Sequence, residues 1–186
     1  HGANTYLLQQ FFSCLSNQRM DEFGCDSLEN RMRFSLGILK EAMALKKTFE
    51  RPFIIGYRIS PEEIEPEGYS VDEALELMKN VDAIGVDYIH LSTGHYAQAS
   101  RREKDNETPI IERISKDPFK ATLIGVGAIY DHHDAISALS MPYDLIATGF
   151  SLIADPLWGD QVINEISPKT TVLKSTIPSP FHHRLI

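Results

Sequence analysis

Four short apolar runs, each followed by a helical signal, constrain this chain more than any other feature. Phe53-Ile54-Ile55-Gly56-Tyr57-Arg58-Ile59, Val86-Asp87-Tyr88-Ile89-His90-Leu91, Thr122-Leu123-Ile124-Gly125-Val126 and Tyr143-Asp144-Leu145-Ile146-Ala147-Thr148 read as strands. The first, coming after a proline, has the continuous apolar character of a strand buried on both faces, as parallel sheets require. The connecting segments carry helix starts. Ser70 with Glu73 forms a capping box ahead of Val71, Ala74, Leu75, Met78 and Val81. Thr108-Pro109 opens a helix with Ile111 and Ile114 inward, ended by Asp117-Pro118, and Asp131 caps a helix through Leu139. Asp155-Pro156 opens the last helix, to about Ile166. Upstream, a short helix runs from Tyr6 to Phe12, and Asp26 with Glu29 caps a longer one. That helix aligns Leu28, Met32, Leu36, Leu39 and Met43 on one face before Arg51-Pro52 stops it.

Strand and helix alternating at roughly 30 to 40 residues per unit mean parallel pairing with crossover helices. A doubly wound sheet and a (β/α)8 barrel both fit this pattern. A barrel normally needs about 250 residues, so a chain of 186 with four visible strands matches the second half of one. The chain opens on His1 with no Met and runs directly into an apolar segment, as a chain cut in mid-domain would. Residues 1–166 form the half-barrel on this reading, and 167–186, with three prolines and no periodicity, a surface tail.

Composition narrows the function. A net charge of −8 without a Lys/Arg cluster argues against nucleic acid as a partner. No run of apolar residues is long enough for a membrane span. Cys14 and Cys25 are most simply unpaired thiols, in keeping with a cytoplasmic protein.

In a barrel, working residues stand at the C-terminal ends of strands, and the last two strands commonly hold a phosphate. Here they end in Gly125-Val126-Gly127-Ala128 and Thr148-Gly149-Phe150. Such loops present bare backbone N–H groups to an anion, or simply turn the chain. At the start, His1 and Asn4 stand three apart in what would be a first helical turn, with Tyr6 close behind. Aimed at one oxygen, the pair would polarise a carbonyl or nitro group while Tyr6 delivered a proton. Alternatively, Asn4 caps a helix and Tyr6 is an ordinary aromatic. Glu62, Glu63, Glu65 and Glu67 read as a solvated acidic loop, His95-Tyr96 as a loop beside a possible pocket, and His132-His133 as a cap region; no metal site is read.

His1-Gly2-Ala3-Asn4-Thr5-Tyr6-Leu7, Leu15-Ser16-Asn17-Gln18-Arg19, Asp21-Glu22-Phe23-Gly24 and Ser27-Leu28-Glu29-Asn30-Arg31-Met32-Arg33-Phe34 resemble the Old Yellow Enzyme family of FMN-dependent NAD(P)H oxidoreductases. Ile55 to Ser60, Gly125-Val126-Gly127, and Thr148-Gly149 through Pro156 agree in order with its later strands. The resemblance implies an α/β (β/α)8 barrel of the TIM type, this chain running from the end of strand four through helix eight. It implies FMN as cofactor, NADH or NADPH as reductant, and an activated alkene or quinone-like small molecule as substrate. His1 and Asn4 match the pair that binds the substrate oxygen, Tyr6 the proton donor, and Arg58 the arginine at the flavin N1/O2 edge. Gly127 and Ala128, with Gly149 and Phe150, match the phosphate loops. In two places the chain departs from the pattern. Phe150 stands where the family usually has a phosphate-binding arginine, and Gly24-Cys25-Asp26-Ser27 is one residue longer than the commoner loop.

The reading is therefore the C-terminal half of an ene-reductase-type flavin oxidoreductase. The rival is a non-catalytic half-barrel that only self-associates or binds a partner chain. A Schiff-base aldolase barrel is disfavoured, because no strand ends in lysine. The chain by itself is expected to be largely flavin-free and to form a homo-oligomer that covers its open strand edges.

Overall fold

The structure, a computed structural model, describes residues 1–166; the expected tail lies outside the described residues. In chain order the elements are α1 Leu7–Phe12, α2 Leu28–Lys46, β1 Gly56–Ile59, α3 Val71–Ile84, β2 Tyr88–Leu91, α4 Ile110–Ile114, β3 Thr122–Val126, α5 His132–Leu139, β4 Leu145–Ala147, α6 Phe150–Ala154 and α7 Trp158–Ile163.

All strand pairs are parallel, and the spatial order β1-β2-β3-β4 follows the chain. A doubly wound sheet reverses its order at a switch point, whereas a barrel adds each strand beside the last. The observed order is the barrel's. Before β1, the Gly2 N–H donates to the Arg58 carbonyl at 2.7 Å and forms a parallel bridge with Ile59. Residues 1–3 thus occupy the place of the preceding strand's end. A Cβ on Gly2 would lie 2.2 Å from the Tyr57 hydroxyl, so glycine is what lets the backbones pair here.

One face of the sheet carries Tyr57, Ile59, Ile89, Leu91 and Leu123, all buried against Leu77, Met78 and Val81 of α3 and Ile110, Ile111 and Ile114 of α4. The opposite face, with Arg58, His90, Ile124 and Val126, is only half-buried, so the expected burial on both faces is not met. Phe53 and Ile54 are exposed and lie ahead of β1, because pairing with β2 begins only at Gly56. The apolar run overstates the strand.

Side-chain caps set the starts of α2, α3 and α5. The Ser70 capping box forms as expected, with Ser70 accepting from the Glu73 N–H and Glu73 from the Ser70 N–H. Asp131 and Asp134 make the same reciprocal pair at α5. The cap of α2 is Ser27, not Asp26: its extended backbone lets Oγ accept from Asn30 N–H at 3.1 Å, one residue later than expected. That helix ends at Lys46, short of Arg51-Pro52, and the Lys46 ammonium contacts the Asp87 carboxylate. Asp87 also accepts from Ile55 N–H, so one carboxylate joins the end of α2 to the starts of β1 and β2. The last expected helix is α7, which begins only at Trp158 and ends at Ile163, and α6 ahead of Asp155 was not expected. Asp155 ends α6 and accepts from Leu157 N–H, and Pro156 has no N–H with which to continue the helix.

Two expectations about side chains fail. Cys14 and Cys25 are not free thiols but form a disulfide. Asn17 donates to the carbonyls of both Phe11 and Phe23, folding the loop between α1 and α2 back on itself and bringing the cysteines to 5.7 Å between Cα atoms. Nor is the acidic loop simply solvated. Glu62 is buried, accepting from the Ser100 hydroxyl and Arg101 N–H, and Glu63 accepts from Gln9 and Ser13. Only Glu65 and Glu67 stand exposed.

Candidate active site

The parallel register sets Arg58 beside His90, and both point to the half-buried face near the strands' C-terminal ends. Together with the loops after β3 and β4 they line a cavity of about 370 Å³. Gly127, Ala128, Gly149 and Phe150 are on its wall, so five of the residues singled out from sequence converge. A second cavity, of about 640 Å³, is lined by Arg58, Gly127, Asn4, Ser60, Ser92 and Thr93 among others. Arg58, Val126 and Gly127 are common to both.

Gly127 has φ +113°, and a Cβ there would lie 2.6 Å from the Gly94 backbone. Any side chain would therefore clash with the loop after β2. That loop is fastened to it by the Thr93 hydroxyl donating to the Val126 carbonyl and by Tyr96 N–H donating to the Gly127 carbonyl. Ala128 is also left-handed, at φ 51°. Gly149 stands at the start of α6 with open space where a side chain would be. The first N–H groups of a helix lack intrahelical acceptors, so the loop after β4, which runs straight into α6, offers donors at the cavity, whereas α5 begins only at His132, beyond the cavity wall. Phe150 packs edge-on against Tyr130, at 6.2 Å between ring centroids, and makes this corner apolar.

The wall holds polar atoms with no partner. Arg58 Nε and His90 Nε2 are buried without a hydrogen bond, an unsatisfied pair of the kind a polar ligand would complete. Burial, then the neighbouring Arg58 charge, pushes the His90 pKa down to about 4. Burial also lowers the Arg58 pKa from its ordinary value. His90 was not singled out from the sequence. A charged or polar residue at the same register of two adjacent buried strands is the signal that marks it.

The opening segment is not the helical turn expected. Asn4 and Thr5 have φ of 55° and 62°, and α1 begins only at Leu7. His1 and Asn4 are set by a strand end and a left-handed turn, not by helical spacing. Asn4 reaches the second cavity, where its Oδ1 accepts from the Ser92 hydroxyl. His1 and Tyr6 lie against each other, ring centroids 4.9 Å apart, but neither lines either of these cavities, and Tyr6 is 63% exposed. The sequence-derived trio is thus divided between the cavity wall and its outside. His95 is exposed with Nδ1 accepting from Ala97 N–H within its own loop, and His132 Nδ1 lies 2.9 Å from the Val162 carbonyl, joining α5 to α7.

The family model described as NADH:flavin oxidoreductase / NADH oxidase matches residues 1–168. The chain belongs to that family. NADH:acrylate oxidoreductase of Vibrio harveyi is 37% identical over 170 residues, 89% of this chain and 17% of the relative. The probable NADH-dependent flavin oxidoreductase YqiG of Bacillus subtilis is 36% identical over 188 residues, 98% of this chain and 50% of the relative. Morphinone reductase in complex with tetrahydroNAD superimposes with a TM-score of 0.70 at 26% identity, over 97% of this chain and 45% of that one. An old yellow enzyme homologue from Zymomonas mobilis has the same fold at 20% identity and a TM-score of 0.71, over 100% of this chain and 52% of that one. The described residues are therefore part of a (β/α)8 barrel, and the chain spans between 17% and 52% of the length of these relatives. FMN with NADH or NADPH is the cofactor set this family implies. Its fit here rests on the unpartnered Arg58 and His90 nitrogens and on the side-chain-free loop at Gly127, which together leave a polar recess bounded by backbone.

Because the folded state holds His90 neutral, unfolding takes up a proton between pH 6.5 and about 4. Stability is accordingly expected to be full above pH 6.5 and to decline as pH falls toward 4. Urea midpoints measured across that range should show a slope that His90→Gln flattens; an equal slope in the variant would mean that another group carries it.

Proposed function

We propose that this chain supplies part of the active site of an FMN-dependent NAD(P)H oxidoreductase of the ene-reductase type, acting on an activated alkene or quinone-like small molecule. The observation that carries the reading is the convergence of Arg58, His90 and the two glycine loops on one recess beside Asn4. FMN, when bound, supplies the chemistry of taking hydride from NAD(P)H and passing it to the alkene. Arg58 would hold the pyrimidine edge, where a fixed guanidinium stabilises negative charge. The backbone at Gly127, Ala128 and Gly149 would receive the phosphate. Phe150 offers no charge there, so the loop donors carry that contact.

Asn4 and His1 would bind the substrate's oxygen and withdraw electron density from the double bond. Tyr6 would donate the proton. Its ring contact with His1 supports that pairing, and on this reading the substrate would lie between Tyr6 and the recess. The rival reading, a non-catalytic half-barrel, draws no support from the relatives, which are named as oxidoreductases. We also place the protein in the cytoplasm, as a user of NADH; among the described residues no helix is long and apolar enough to cross a membrane.

In the full-length FMN-loaded protein, Tyr6→Phe should slow reoxidation of the reduced protein by an enone roughly 10²–10⁴-fold, the range for general-acid catalysis. Reduction by NADH should hardly change. Stopped-flow traces with equal losses in both half-reactions would remove Tyr6 from the chemistry.

Replacing Arg58 with Ala is expected to weaken FMN binding and to make the flavin potential more negative, since a hydrogen bond to a charged group contributes about 1.5–3 kcal/mol. Potentiometric titration returning the unreplaced protein's value would place Arg58 elsewhere.

The outer side of β4 and its neighbours leave Leu145, Ile136 and Leu139 each more than half exposed. This apolar edge calls for cover, by the rest of a barrel or by another copy. The chain of 186 residues should accordingly self-associate, and light scattering that returns a monomer of 21.0 kDa would exclude it.

A further inference from the structure

The Asn4 amide is joined to Arg58 through one hydroxyl. Arg58 Nη2 donates to Ser92 Oγ at 3.0 Å, and Ser92 Oγ donates to Asn4 Oδ1 at 3.1 Å. Ser92 is the first residue beyond β2, on the rim of the same cavity as both partners. A guanidinium has donors only, so the Ser92 oxygen must accept from Arg58. Its single proton is then free for the amide, whose oxygen takes it. The other end of the Asn4 amide is Nδ2, which can only donate.

An amide held by one end alone can turn over and present oxygen instead of nitrogen, since the two ends differ little in shape. For a ligand that brings an oxygen, the wrong end repels. The backbone of Asn4 is fixed independently: its N–H donates to Ser60 Oγ at 3.0 Å, holding the residue in the left-handed turn that asparagine tolerates better than most. Ser60 sets where Asn4 stands, and the side chain needs a second fastening to set which way it faces.

We infer that Ser92 is a positioning residue that, polarised by Arg58, turns the Asn4 amide so that Nδ2 is offered to an oxygen-bearing ligand. This rests on the proposed function in one respect, that Asn4 receives the ligand's oxygen. It adds a direct mechanical link between the residue assigned to the flavin edge and the one assigned to the substrate.

The test uses the full-length FMN-loaded protein titrated with 4-chlorophenol, read by the long-wavelength charge-transfer absorbance of the bound phenol. Ser92→Ala should weaken phenol binding about tenfold, the loss of one hydrogen bond's worth of orientation, with FMN content and Tm unchanged. Ser92→Thr, which keeps the hydroxyl, should bind within about twofold of the unreplaced protein on the same scale. Asn4→Ala should weaken binding at least as much as Ser92→Ala, and adding Ser92→Ala to it should cost nothing more, because the hydroxyl acts only through the amide. Unchanged binding in Ser92→Ala, a loss that Ser92→Thr does not restore, or losses that add in the double variant would each overturn the role of Ser92 while leaving Asn4 in place. Wild-type binding in Asn4→Ala would overturn the assignment of Asn4 itself, and the role of Ser92 with it.

Discussion

Parallel pairing in sequential order is the constraint from which the site follows. With Arg58 opposite His90 and His90 opposite Ile124, strands β1 to β3 end at nearly one level. Everything that leaves the sheet there, from Ser60, Ser92, Gly127 and Thr148 onward, is delivered to one rim. Gly2 brings the opening segment to the same rim by bonding to Arg58. A slip of one residue in β1 would turn Arg58 toward the helices and bring Tyr57 to the cavity, because neighbouring strand residues face opposite ways.

That register is held from outside the site. Asp87 accepts from Lys46 and from Ile55 N–H, and the lysine keeps its carboxyl below the ordinary range. Asp144 accepts from Leu123 N–H and Asp82 from Lys120 and Ala121 N–H, so three carboxylates pin the beginnings of strands while the ends stay free for chemistry. The same division holds for the most family-specific stretch of sequence. Asn17 organises its own loop, Arg19 pairs with Asp21 over Phe11 and Phe23, and the buried Arg31 joins Glu73 of α3. None of these lines either of the two cavities at the strand ends.

Much of the fold was legible because its signals are local. The Ser70 and Asp131 caps are satisfied within three residues, and β3 has the bounds its apolar run suggested. Errors arose where a partner distant in the chain decides. Glu62 reads as solvated until Ser100, 38 residues on, is beside it. Phe53 and Ile54 look like strand until the register shows that β2 begins too late to pair with them.

Sequence alone determined the alternation of strands and helices, α6 excepted, and the family, because periodicity, caps and motif order are carried by neighbouring residues. Tertiary structure alone decided which side chains meet. It set His90 against Arg58, took His1 and Asn4 out of a helical turn, left Tyr6 outside the recess, and put Ser92 between Arg58 and Asn4, residues 34 and 88 positions away. Hydrogen bonds across such separations exist only once the strands have paired, so no local pattern encodes them.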